Sequence, residues 1–395
     1  MSSRAPQRGD GRRGVAACFL LTGAIAGSWA SRIPWVQQNL GLSDGELGAA
    51  LLAPAVGGVL TMTLVGRLTS RVGSRLVTRI VVPGWCVALA LPALMPSFAT
   101  LVVALLLFGV MAGATDVAIN AQGVVVERRR AIPLLPHLHG LWSLGALVGA
   151  AVGAAFAAAD VPATIHLALA AFVLLVVAET IAIPNLAAHG PAPAEPAATV
   201  VAADGSSRPA ERAPVWRGIV ALGLVGLGAL FVEAAALDWS AVYVSTTLDA
   251  GPALGAVAFA AFASAMTLGR LLGSRGVARF GAVRLVRFSG VLAGSSLVAV
   301  LLVPEPAVGI AGFACLGLGI ACTTPLVYSA AAVRPGGGDP GPRIAFVTTM
   351  SYPGWLAAPA VIGGIAEVAS LPAAMGLVCA IAFVLALAAP VLRAP

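Results

Sequence analysis

The chain has 395 residues, of which 59% are apolar and only 10% are charged, with a formal net charge of +7 and a mean hydropathy of +0.97. A soluble domain carries roughly 25% charged residues to face water, so most of this surface must meet hydrocarbon, and a water-soluble enzyme or regulator is excluded. All 23 basic residues are arginine and stand in short clusters between apolar stretches, a placement that orients a membrane protein rather than one that grips nucleic acid.

A membrane-spanning helix needs about 20 mostly apolar residues. The first candidate follows a polar tail, 1–13, and covers 14–35. Arg12-Arg13 ahead of Gly14–Ala30 also fits a signal peptide, but the many later spans favour a retained helix. It ends in Trp29-Ala30-Ser31-Arg32-Ile33-Pro34-Trp35. Spans at 45–66, 76–96 and 99–126 follow, the last holding Asp116, Asn120 and Gln122. The fifth and sixth are 134–159, with His137 and His139 near the inner surface, and 163–186. A Pro/Ala-rich stretch, 187–214, reads as a linker. Beyond it come 215–244, with Glu233, Asp238 and Trp239, then 252–273, 284–303, 305–333, 342–367 and 371–393. Tight junctions near Pro96 and Pro304 separate neighbouring spans. Cys18, Cys86, Cys315, Cys322 and Cys379 all fall in apolar stretches without metal-type spacing, so no metal or cofactor is expected.

With the N-terminus inside, every arginine except Arg32 falls on the inner side, and outer connections carry Asp44, Glu46, Asp160, Asp249, Glu305 and Glu367. That is the positive-inside pattern. It predicts an even number of spans, a cytoplasmic membrane location and both termini in the cytoplasm. The halves 14–186 and 215–393 also echo one another. Leu47-Gly48-Ala49 returns as Leu254-Gly255-Ala256, Arg71-Val72-Gly73 as Arg279-Phe280-Gly281, and Trp29 as Trp239, at a nearly constant offset. The expected fold is therefore an all-α polytopic membrane protein of twelve transmembrane helices, arranged as two six-helix pseudo-repeats.

The loop Gly66-Arg67-Leu68-Thr69-Ser70-Arg71-Val72-Gly73-Ser74-Arg75 resembles the inner loop motif of the major facilitator superfamily. Gly269-Arg270-Leu271-Leu272-Gly273-Ser274-Arg275, continuing to Arg279-Phe280-Gly281, looks like its second copy. Glycines there would let helices approach closely, and arginines would hold the loop at the anionic face. The Trp29–Trp35 stretch, Asp116-Val117-Ala118-Ile119-Asn120-Ala121-Gln122-Gly123 and His139-Gly140-Leu141-Trp142-Ser143-Leu144-Gly145 are similar to the MosC-like branch, near the fucose-permease type of sugar transporter. The resemblance implies alternating access about a cavity lined by spans one, four, seven and ten. The family motif has an aspartate where Ser70 and Ser274 stand, so the charged latch it usually forms is missing. Serine can still cap a helix.

Charges within hydrocarbon are costly and usually functional. Glu233 and Asp116 are the candidate proton-coupling groups, because desolvation favours a neutral carboxyl and lets it carry a proton. A structural bond between helices is the alternative for Glu233. Asp116 and Asn120, four apart, share a helix face and suit hydroxyl groups of a solute. A polar seam through His139 and Gln122 is the alternative. Trp29, Trp142 and Trp239 are candidates for stacking on a sugar ring. Arg32 and Asp238 could pair as a gate, against the alternative of an arginine snorkelling to water. Gly66, Arg67, Arg71, Gly73, Arg75, Gly269, Arg270, Arg279 and Gly281 are the remaining gating candidates. The function expected is proton-coupled transport of a small sugar- or polyol-like solute by a monomer, with protons and lipid as its other partners. An efflux pump for apolar drugs would need more aromatics than 6%. A membrane sensor or intramembrane enzyme lacks an appended domain or a nucleophile–base pair, so no enzyme activity is expected.

Overall fold

The computed structural model describes residues 11–130, 134–187, 209–334 and 341–393. Among these, the chain folds into helices and turns without a strand. Six helices precede the linker: α1 (Arg12–Ala30), α2 (Asp44–Val72), α3 (Ser74–Ala88), α4 (Phe98–Arg130), α5 (Leu135–Ala158) and α6 (Ala163–Val177). Six follow it: α7 (Pro209–Val242), α8 (Gly251–Phe280), α9 (Ala282–Leu302), α10 (Pro306–Ile320), α11 (Gly341–Val368) and α12 (Leu371–Ala388). Among the described residues, eleven helical segments are long and apolar enough to cross a membrane. The twelfth expected span, 342–367, is the 28-residue helix α11. The tight junctions are also present, since α3 and α4 are separate helices, as are α9 and α10.

Three helices stop about four residues before a proline. α1 ends at Ala30 ahead of Pro34, α3 at Ala88 ahead of Pro92, and α10 at Ile320 ahead of Pro325. Proline lacks the N–H that would continue the ladder, and its ring crowds the carbonyl four residues back. The chain resumes at once as short helices, Ile33–Leu40, Leu91–Leu94 and Thr323–Ala332. Several acids of the connections also have local roles. Ser43 and Glu46 form a capping box at the start of α2. Asp160 and Asp249 take left-handed backbone angles, φ 53 and 50, which aspartate tolerates better than most residues.

The chain divides into two compact units, Met1–Glu195 and Pro196–Pro395. Inside the first, α1 packs on α5, α2 on α4, and α3 on α6. Inside the second, α7 packs on α11, α8 on α10, and α9 on α12. The helix pairing of one repeat is thus the helix pairing of the other. Small residues permit it, because apolar packing gains little between helices in lipid and close backbone approach must supply the attraction. A Cβ at Gly23 or Gly27 would strike the carbonyls of Trp142 or Ala146, and one at Gly145 or Gly149 those of Leu20 or Ala24. Between α7 and α11, Gly226 faces Ser351 and Gly354 faces Leu227 in the same way.

The turn between α2 and α3 rests on Gly73, at φ 86 and ψ 142, whose N–H donates to the Thr69 carbonyl. Its counterpart between α8 and α9 is Gly281, at φ 76 and ψ 158, donating to Val277. Only glycine adopts such angles without strain. The short sequence repeat around these positions thus has a backbone cause.

Candidate functional site

The second unit holds an ion pair inside its helices. Arg270 Nη2 lies 2.7 Å from Glu233 Oε1. Glu233 is 6% exposed on α7, and the Arg270 side chain on α8 is about one-third exposed. The Cα–Cβ bond of a helical residue tilts toward the helix N-terminus. Because α7 and α8 are consecutive and connected by a short turn, they run in opposite senses, and the two side chains lean toward each other from different depths. This closes the gap between a mid-helix acid of α7 and an arginine in the second half of α8. Sequence reading placed Arg270 in a loop motif and Glu233 alone in a span, and so missed the pairing. The opposed tilt was the available signal.

Arg270 is held where α10 breaks. A Cβ at Gly269 would come to 2.7 Å of Ala321 Cβ, and Cys322 Sγ donates to the Gly269 carbonyl at 3.3 Å. Tyr328, on the helix resuming after the break, sits beside Thr348 and Ser351 of α11 and within electrostatic reach of Glu233. Ser351 is fully buried. Carboxylate, guanidinium and hydroxyl groups from α7, α8, α11 and the helix that continues α10 therefore gather in one place. The sequence singled out Glu233 and Arg270 but not Tyr328, Thr348 or Ser351, although Tyr328 is one of only three tyrosines in the chain.

The first unit has a smaller set on the corresponding helices α1, α4 and α5. Asn120 Nδ2 donates to the Asp116 carbonyl at 2.8 Å and to Asp116 Oδ1 at 3.0 Å, so both side chains do share a face. Asp116 is exposed and feels His139 of α5. The His139 ring meets Phe19 of α1 edge-on, with centroids 5.2 Å apart. Gln122 lies off this face. It is fully buried and donates to Ser74 Oγ at 2.8 Å, bracing α4 against α3.

Among the tryptophans, Trp142 is half-buried. Trp29 is buried and 6.1 Å from Phe108, which in turn lies 5.6 Å from Trp85. Trp239 is enclosed completely. Arg32 does not snorkel to water, being 1% exposed, and it donates to the Val161 carbonyl. Asp238 is half-buried on α7 of the second unit.

The loop motif is asymmetric. The expected close approach occurs at Gly269, but a Cβ at Gly66 would meet nothing within 4 Å, so Gly66 does not serve to bring helices together. Arg67, Arg71 and Arg279 are exposed and Arg75 is half-buried, with Arg279 over the Phe280 ring at 5.5 Å. The side chains of Ser70 and Ser274 lie outside the described residues. Among the described residues no cluster of His, Cys, Asp and Glu could hold a metal.

Known proteins agree with this architecture. The chain is 32% identical over 367 residues to an uncharacterized MFS-type transporter of Yersinia pestis, covering 91% of this chain and 90% of the relative. It is 29% identical over 378 residues to the membrane protein MosC of Rhizobium meliloti, covering 95% and 88%. Among solved structures it superimposes on a mutant of the nucleoside transporter NupG with a TM-score of 0.75 at 12% identity, covering 96% of this chain and 99% of that one. A bacterial homolog of the human lysosomal transporter Spinster gives 0.69 at 14% identity, covering 96% and 95%. The Major Facilitator Superfamily profile matches residues 15–359, and with relatives this similar over nearly their whole lengths, the chain belongs to the Major Facilitator Superfamily.

Proposed function

We propose that this secondary transporter is proton-coupled, moves a small sugar- or polyol-like solute, and uses Glu233 as its proton-binding group. The observation that carries the reading is the Arg270–Glu233 ion pair within membrane-spanning helices. An acid in hydrocarbon is kept for a reason, and a cation beside it makes its charge tolerable. Protonation of Glu233 abolishes the attraction and leaves Arg270 without a counter-charge. Arg270 lies three residues before the end of the apolar part of α8, Gly251–Gly273, so its guanidinium can then swing toward water. One proton thus switches a bond between α7 and α8, which is the kind of differential contact alternating access requires.

Tyr328 and Thr348 offer hydroxyls beside this switch, and within the first unit Asp116 with Asn120 offers planar acceptors and donors. Such groups suit a solute rich in hydroxyls, since each can both accept and donate. NupG, which shares the fold, is a nucleoside transporter. Nucleosides carry a polyhydroxylated ribose and belong in the same substrate panel as sugars, inositols and amino sugars. The segment between Ala187 and the start of α7 at Pro209 acts as a cytoplasmic linker between the halves, and both termini face the cytoplasm.

The test is a thermal-shift screen of that panel on purified protein, followed by uptake of each hit into proteoliposomes under an imposed pH gradient. The reading expects a hydroxyl-rich hit whose accumulation follows the proton gradient. Hits confined to apolar cations, or uptake indifferent to the gradient, would contradict it.

A further inference from the structure

Where α1 breaks ahead of Pro34, the first unit buries a positive charge with no bonded counter-charge among its described residues. Arg32 is 1% exposed. Its Nη2 donates to the Val161 carbonyl, but Nε and Nη1 are buried with no partner among the described residues. His166, four residues into α6 and also 1% exposed, has both ring nitrogens buried and unpartnered. Its ring stacks on Phe156 of α5, with centroids 4.8 Å apart, and lies within reach of the Arg32 charge. Gly153 keeps the place open. A Cβ there would strike Ser31 Oγ and come to 3.3 Å of His166 Cε1.

Buried polar groups are hydrogen-bonded, and buried charges are paired. A guanidinium cannot relieve the problem by losing its proton. One orphaned nitrogen would be a small imperfection. Here four nitrogens on two side chains, one in the break of α1 and one on α6, lack a partner among the described residues, and no described carboxylate of the first unit bonds to Arg32. We propose that Arg32 and His166 form a binding site for one small monovalent anion, either a halide or the carboxylate of a small acid. Arg32 supplies the charge and two N–H groups from Nε and Nη1, and His166 supplies one imidazole N–H. The anion compensates the guanidinium and fastens the break in α1 to the start of α6, so its binding stiffens the first unit.

The test compares melting of purified protein in sodium chloride, sodium formate and sodium gluconate at equal ionic strength, gluconate serving as the bulky reference anion. Crystals grown in sodium bromide supply a direct readout. Chloride or formate raises the melting temperature saturably over gluconate. In Arg32→Gln and His166→Leu the apparent affinity falls at least tenfold, and bromide gives an anomalous peak within hydrogen-bond distance of Arg32. His166→Leu keeps an apolar partner for Phe156 should Arg32→Gln fail to fold. A response to chloride alone assigns a halide, and a response to formate alone assigns a carboxylate. Equal melting in all three salts, an unchanged response in His166→Leu, or only water beside Arg32 in the bromide crystals overturns the proposal.

Discussion

Arg270 Nη2 and Glu233 Oε1 lie 2.7 Å apart, although 37 residues separate them and each lies on its own membrane-spanning helix. The sequence motif around Arg270 resembles an inner-loop device, yet its guanidinium turns back along α8 to reach an acid of α7. The pair therefore links the loop motif of the second repeat to the buried interior of that repeat.

Removing one partner of a fully buried pair costs about 3–5 kcal/mol. The Arg270 side chain is about one-third exposed, so Arg270→Gln should cost less, about 1–3 kcal/mol. Glu233→Gln in the same chain should recover part of that loss, because no carboxylate is then left without its cation. Denaturant titration in detergent checks this, and strictly additive losses would show that the two groups do not interact.

The glycines of the loop motif should behave unequally. Gly269→Ala places a methyl 2.7 Å from Ala321 Cβ and should cost about 1–3 kcal/mol through overpacking. Gly66→Ala enters open space within α2 and should be neutral or stabilising by up to about 1 kcal/mol. Melting temperatures of the two variants decide the matter, and equal losses would remove the asymmetry.

At Gly281 the penalty should come from the backbone alone. Nothing stands within 4 Å of a Cβ there, but φ is +76, so Gly281→Ala should lose about 1–3 kcal/mol through strain. A variant that melts with the parent would show that the turn between α8 and α9 adopts another conformation.

Asp116 and Asn120 should matter to the solute more than to the fold, since Asp116 is exposed and bonded within its own helix. Loss of one hydrogen bond to a charged acceptor is worth about 1.5–3 kcal/mol, so Asp116→Asn should raise KM roughly tenfold or more with little change in melting temperature. Concentration-dependent uptake measures this, and an unchanged KM would assign the pair to helix packing.

Much of the fold could be read in the residues because hydrocarbon imposes simple rules. Spans must be long and apolar, and arginines mark one side. The helix breaks ahead of Pro34, Pro92 and Pro325 were not read, because the expected spans 14–35, 76–96 and 305–333 run through them. The candidate site was less legible. Asp116 and Asn120 share a helix, so spacing alone placed them together, whereas Glu233 and Arg270 meet only once α7 and α8 pack. Arg32 carried the outward mark of an interfacial arginine, yet its burial depends on α5 and α6 closing around the break in α1. Gly66 and Gly269 occupy matching positions in two similar motifs, and only their neighbours distinguish them.

Proton coupling through Glu233 is tested most directly in proteoliposomes holding either the parent chain or Glu233→Gln, supplied with a substrate found in the screen. Exchange of labelled for unlabelled substrate without any gradient is measured alongside accumulation driven by an imposed pH gradient. The account predicts that Glu233→Gln keeps exchange and loses gradient-driven accumulation. Full accumulation by Glu233→Gln would contradict it.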